Sequence, residues 1–171
     1  MAQLKYKIAT IGSHSALQIF KGAHDEGFKT IAVCKKGSER PYRMFNAADE
    51  IISINSYKEF PKTQQQLIKK NAIVIPHASF VTYMGYEEVE KLKIMYYGNK
   101  KILKWESDRY LERQWLVNSG FKVPVLFKSP KYIDRLVIVK FMGAEGGKGY
   151  FLAKNEKDFN KKIKPYKLRK Y

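Results

Sequence analysis

The feature that most constrains this chain is the spacing of its short apolar runs. Lys7–Gly12 reads KIATIG, Thr30–Val33 reads TIAV, Glu50–Ile54 reads EIISI and Ala72–Ile75 reads AIVI. Each is too short for a helix, and glycine or proline ends the first and the last. The stretches between the first two and the last two carry helical signals. Ala16, Leu17, Ile19, Phe20 and Ala23 share one helical face that closes at Gly27, and Gln64–Lys70 suits a second helix. Pro41 and Gly37 read as breakers in the polar loop KKGSERP. Strands alternating with helices predict a mostly parallel α/β sheet, whose ligands bind beyond the carboxyl ends of the strands. The loops Gly12–Ser15 and Pro76–Ser79 fall at those ends.

Glu87–Leu92 predicts a further helix and Ile94–Tyr97 a last strand before the turn at Gly98 and Asn99. Ser107–Ser119 then reads as a helix with Leu111, Trp115 and Leu116 on one face. Ser107 or Asp108 suits its start, and Gly120 its end. Val123–Phe127, Leu136–Phe141 and Tyr150–Ala153 read as strands. The predicted organisation is one domain over 1–97 and a second over 98–171.

Charge narrows the partners. The 171 residues carry 33 Lys or Arg against 16 Asp or Glu, a net +17, and residues 154–171 alone hold eight basic and two acidic side chains. Such a field favours phosphates, nucleotides, nucleic acid or acidic surfaces without choosing among them. No apolar run approaches the length of a membrane span, and MAQLKYK has no apolar leader, so a cytoplasmic protein without a membrane partner is expected. The single Cys34 excludes an internal disulfide. It reads as a buried thiol at a strand end.

Three segments could carry chemistry. In Gly12-Ser13-His14-Ser15, two hydroxyls and the first amides of the next helix suit a small anion, and a plain helix cap suits the same residues. In Pro76-His77-Ala78-Ser79, His77 and Ser79 fall on the same sheet edge, and Ser79 could equally cap a helix. The third segment is Lys140 followed by Gly143, Gly146, Gly147, Lys148 and Gly149. It reads as a hairpin tip able to cover a triphosphate, with Lys148 as a movable charge, or else as a surface hairpin. Lys148 precedes glycine rather than Ser or Thr, so it is no Walker loop. Lys140 ends an otherwise apolar strand that reads as buried, where its charge needs a partner. His14, His24 and His77 form no helical metal pair, so no metal ligands are expected, and His24 and Asp25 read as facing solvent.

The segments IATIGSHSALQIFKGAHDEGFKT, IPHASFVTYMG, YYGNKKILKWESDR and VIVKFMGAEGGKGYF occur in this order between Lys7 and Ala153. They resemble the archaeal formate-dependent FAICAR (formaminoimidazole-carboxamide ribonucleotide) synthetases of the ATP-grasp superfamily. The resemblance implies a Rossmann-like parallel-sheet domain preceding the ATP-grasp, followed by an incomplete ATP-grasp subdomain. It implies ATP-dependent formylation of AICAR, the carboxamide ribonucleotide, through formyl phosphate, with formate, ATP and magnesium. His14 and Ser79 match residues that contact the ribonucleotide, with Ser13 and Ser15 beside them. Lys140, Gly146, Gly147, Lys148 and Gly149 match the nucleotide site. Arg109 stands where many ATP-grasp proteins place a phosphate-binding lysine. No residue is assigned as catalytic.

Family members continue beyond the glycine loop into a half that carries the magnesium carboxylates, and NEKDFNKKIKPYKLRKY holds no such cluster. The chain is therefore expected to be a truncated member that binds the ribonucleotide weakly and does not turn over alone. The rival expectation is a non-catalytic nucleotide- or RNA-binding module using the basic surface. Self-association, or completion by another chain, is a further expectation.

Overall fold

The computed structural model describes residues 5–141 and 149–166. They group into two units, within Met1–Leu103 and Lys104–Tyr171.

In the first unit the order is β1 (Lys7–Ile11), α1 (Ala16–Asp25), β2 (Lys29–Lys35), α2 (Arg40–Met44), β3 (Glu50–Ile54), a 3-10 turn (Tyr57–Thr63), α3 (Gln64–Lys69), β4 (Ala72–Val74), α4 (Ala78–Met84) and α5 (Tyr86–Glu90). The four strands form one sheet in the order β3-β2-β1-β4. All three pairings are parallel, with Ile11 opposite Val33 and Ala9 opposite Val74. Alternation along each strand sends side chains to two covered faces. Ile11, Ile31, Val33 and Val74 pack with Phe60, Leu67 and Phe80. Ala32 and Cys34 pack with Ala16, Phe20 and Tyr42. Burial on both faces is why the strands read as apolar runs rather than alternating ones.

Three expectations for this unit change. Pro41 does not simply break a loop: it sits in the first turn of α2, where its missing N–H costs nothing. Ile94–Tyr97 makes only one parallel bridge, Val74 to Tyr96, in place of a full strand. His24 is half-buried rather than free in solvent, its Nε2 3.0 Å from Asp49 Oδ2 and 3.1 Å from Thr30 Oγ1, while Asp25 is exposed as expected. Asp49 is remote in sequence, so no local pattern announced that pair.

The second unit contains α7 (numbered after α6, Ile102–Ser107, which spans the division) over Arg109–Asn118. The strands β5 (Val137–Lys140) and β6 (Tyr150–Ala153) and the helix α8 (Glu156–Lys162) follow. The helix expected over Ser107–Ser119 forms as α7, capped at its start by Asp108, one of the two residues expected there. That residue is extended, and its carboxylate accepts the N–H groups of Tyr110 at 2.8 Å and Leu111 at 3.2 Å. Val123–Phe127 is not a strand: Pro124 removes a donor, and Val125 and Leu126 stay exposed. β5 and β6 pair antiparallel, with Lys140 opposite Tyr150. Phe141, Phe151, Phe159 and Tyr166 form an aromatic cluster beside them.

Candidate functional site

In the first unit β2 and β3 lie on one side of β1 and β4 on the other. The chain's winding reverses between β1 and β4, and in open parallel sheets ligands bind at the carboxyl ends of the strands at such a reversal. The loops Gly12–Ser15 and Pro76–Ser79 leave the carboxyl ends of β1 and β4.

Gly12 is required there by space. A Cβ on it would lie 2.9 Å from Cys34 Sγ and 3.0 Å from Tyr42 Cε2. The strand ends are held together by Thr10, whose hydroxyl donates to the Ile75 carbonyl at 2.7 Å. Ser15 precedes α1 without a side-chain cap bond. Instead its N–H reaches Ser13 Oγ at 3.4 Å. His14 is exposed and takes no hydrogen bond or ion pair among the described residues.

His77 joins the two loops. Its Nε2 lies 3.2 Å from the Ile11 carbonyl, which can only accept, so Nε2 carries the proton. Nδ1 then accepts the Ser79 N–H at 3.3 Å. His77, not Ser79, is therefore the cap of α4. Burial pushes the imidazole pKa below its ordinary value, against the pull of the Ile11 carbonyl, and His14 adds to the lowering. The ring is neutral at pH 7, with both nitrogens engaged. Ser13 Oγ approaches both nitrogens at 3.4 and 3.5 Å. Ser79 is buried to 6% exposure, and its hydroxyl takes no partner among the described residues. Ser13, His14, Ser15 and Ser79 thus lie on two loops that His77 joins at one end of the sheet. His77 was visible in the sequence as part of the motif, but its role as the link between the loops was not.

In the second unit Arg109 opens α7 and its Nε donates to the Phe141 carbonyl at 3.3 Å. Phe141 N–H donates to the Gly149 carbonyl at 2.9 Å, closing the mouth of the β5–β6 hairpin. Arg109, Lys140 and Gly149 therefore gather at that mouth. Gly146, Gly147 and Lys148 lie outside the described residues. Lys140 does not sit in a buried strand: Ile138 and Lys140 are exposed, while Val137 and Val139 are half-buried. A two-stranded ribbon has one covered face, so its alternate residues meet water.

Two cations at a hairpin mouth suit a polyphosphate. Among the described residues no three His, Cys, Asp or Glu converge. No helix among them is long and apolar enough to cross a membrane.

Residues 8–127 match the family described as Protein of unknown function (DUF1246). Over 165 residues the chain is 48% identical to 5-formaminoimidazole-4-carboxamide-1-(beta)-D-ribofuranosyl 5'-monophosphate synthetase of Methanobrevibacter smithii, covering 95% of this chain and 46% of that protein. The protein of the same name from Pyrococcus abyssi is 47% identical over 166 residues, covering 97% and 48%. The chain spans about half the length of the curated relatives it matches.

Among solved structures, the IMP biosynthesis protein PurP from Thermococcus kodakaraensis matches with TM-score 0.64 and 30% identity, over 85% of this chain and 48% of that one. N5-carboxyaminoimidazole synthetase from Staphylococcus aureus, complexed with ADP, matches all of this chain and 49% of its own, at TM-score 0.72 and 21% identity. The fold is α/β with a parallel four-stranded sheet, and its neighbours are ATP-grasp proteins of which it covers about half.

Proposed function

The chain belongs to the family described as Protein of unknown function (DUF1246), and on that footing we propose that it carries the ribonucleotide site and the beginning of the nucleotide site of a formate-dependent FAICAR synthetase. Formate attacks the γ-phosphoryl group of ATP, the bond to the β,γ-bridging oxygen breaks, and formyl phosphate and ADP result. The amino group of AICAR attacks the formyl carbon, the bond from that carbon to the phosphate oxygen breaks, and inorganic phosphate and FAICAR result. The lost amine proton leaves to solvent.

The chain's own residues bind and orient. In the first unit His14 and the free hydroxyl of Ser79 contact the ribonucleotide, with Ser13 and Ser15 beside His14. In the second unit Lys140 and Arg109, with Gly149 and the neighbouring Gly146, Gly147 and Lys148, hold ATP phosphates. Magnesium would shield the transferring phosphoryl group, and no residue of this chain is assigned to hold it.

What carries the reading is the near-half identity with synthetases of one name along 95% of the chain. The loops that carry His14 and Ser79 follow β1 and β4, the strands on either side of the winding reversal, which supports the assignment. Calorimetry with AICAR tests it on the chain itself, on His14→Ala and on Ser79→Ala. Saturable heat is expected for the parent chain, with roughly tenfold weaker binding in each variant, about 1.4 kcal/mol. Equal heats in all three remove both residues from the site.

A further inference from the structure

Three consecutive carbonyls at the end of β1 are each held by a side chain from a different element. His77 Nε2–H, at the cap of α4, donates to Ile11 O at 3.2 Å. The Tyr57 hydroxyl, from the 3-10 turn, donates to Gly12 O. The Tyr42 hydroxyl, from α2, donates to Ser13 O at 3.0 Å. These donors fix the peptide planes that lead to His14, and His77 also holds the Ser79 N–H at 3.3 Å. None of the three is among the residues carried over as ligand contacts.

We infer that Tyr42, Tyr57 and His77 are positioning residues for the ribonucleotide site, a tripod that sets the loop of Ser13 and His14 against that of Ser79. The inference rests on the function proposed above.

The three act on geometry, with different supports behind them. Tyr57 is braced by Tyr83, whose ring stacks on it at 4.6 Å and 7°. Tyr42 is buried and meets Phe20 edge to face. His77 lies edge to face with Phe80 at 5.3 Å. The two tyrosine rings are packed independently of the hydroxyls they donate, so phenylalanine at 42 or 57 removes the polar atom and leaves the packing in place. Burial above all raises the Tyr42 hydroxyl pKa over its ordinary value, so it stays protonated and able to donate.

The test uses Tyr42→Phe, Tyr57→Phe and His77→Asn. Asparagine keeps a helix-capping oxygen for Ser79 N–H but is too short to reach Ile11 O. Amide hydrogen exchange of the ligand-free chain is read at Gly12, which donates to Val33 O, and Ala16, which donates to Ser13 O. AICAR affinity is read by calorimetry. Each variant is expected to speed exchange at Gly12 and Ala16 about tenfold, with Ala9 and Ile31 unchanged, and to weaken AICAR about fivefold. Exchange and affinity both at parent values overturn the inference. So does exchange that rises equally across the whole sheet, which marks a merely structural role. If the parent chain binds no AICAR, the proposed function fails, while loop exchange still decides whether the tripod holds the loop.

Discussion

At the scale of single residues, packing and protonation make separable predictions. Gly12→Ala forces a methyl against Cys34 Sγ and the Tyr42 ring. Such overpacking costs about 1–3 kcal/mol, and the thermal midpoint should fall accordingly. Adding Cys34→Ala removes the nearer obstacle and should restore part of the loss. Cys34 itself is fully buried, and desolvation above all pushes its thiol up to about 12. A thiol reagent at pH 8 should therefore modify it only at the rate of unfolding. Glycine's place after a buried strand was legible in the sequence. The reason it must be glycine was not, because Cys34 and Tyr42 reach it only through the fold.

His77 links pH to stability. Its pKa is lowered in the folded chain, so both states are neutral well above the ordinary histidine value. As pH falls through about 6.5, the unfolded state takes up the proton first. Stability is therefore present above that value and lost as pH falls toward the folded pKa. The urea midpoint should drop between pH 7.5 and 5, and His77→Asn should flatten the drop. Equal slopes would remove His77 as the source. At lower pH Asp49 should add to the loss. Burial alone would raise its pKa, but hydrogen bonds from Lys29, His24 and Thr30 hold it well below the usual carboxylate range. Its contribution is present above that range and is lost progressively as pH falls from it toward the lower folded pKa.

Among elements, the caps decide where helices begin. The helix expected at Ser107–Ser119 forms over Arg109–Asn118, and Asp108 starts it by accepting two N–H groups. Asp108→Ala should cost about 1 kcal/mol, read as a lower unfolding midpoint with less helical signal at 222 nm. Asp108 stood in the sequence as one of two cap candidates. Choosing it over Ser107 needed the helix Ile102–Ser107, whose weak pattern gave no warning. The strands β1 to β4 were legible because both faces of the sheet are buried and their runs are apolar throughout. Val123–Phe127 misled for the complementary reason. Its composition suits a strand, but a strand exists only where a partner offers hydrogen bonds.

For the whole molecule, the apolar runs, their spacing and the loops at Gly12–Ser15 and Pro76–Ser79 determined a parallel α/β unit with polar loops at the strand ends. Those are consequences of local chemistry: burial of short runs, glycine turns and helix starts. The tertiary structure decided the rest. It placed β4 against β1, so that the winding reverses between the two candidate loops. It made His77 the bridge between them, and it drew Tyr42 and Tyr57 onto the carbonyls of Ser13 and Gly12. It also paired His24 with Asp49 and exposed Lys140 on its ribbon. Each of these depends on residues far apart in the chain. Sequence periodicity reports which face of an element is covered, whereas only packing of the elements settles what covers it.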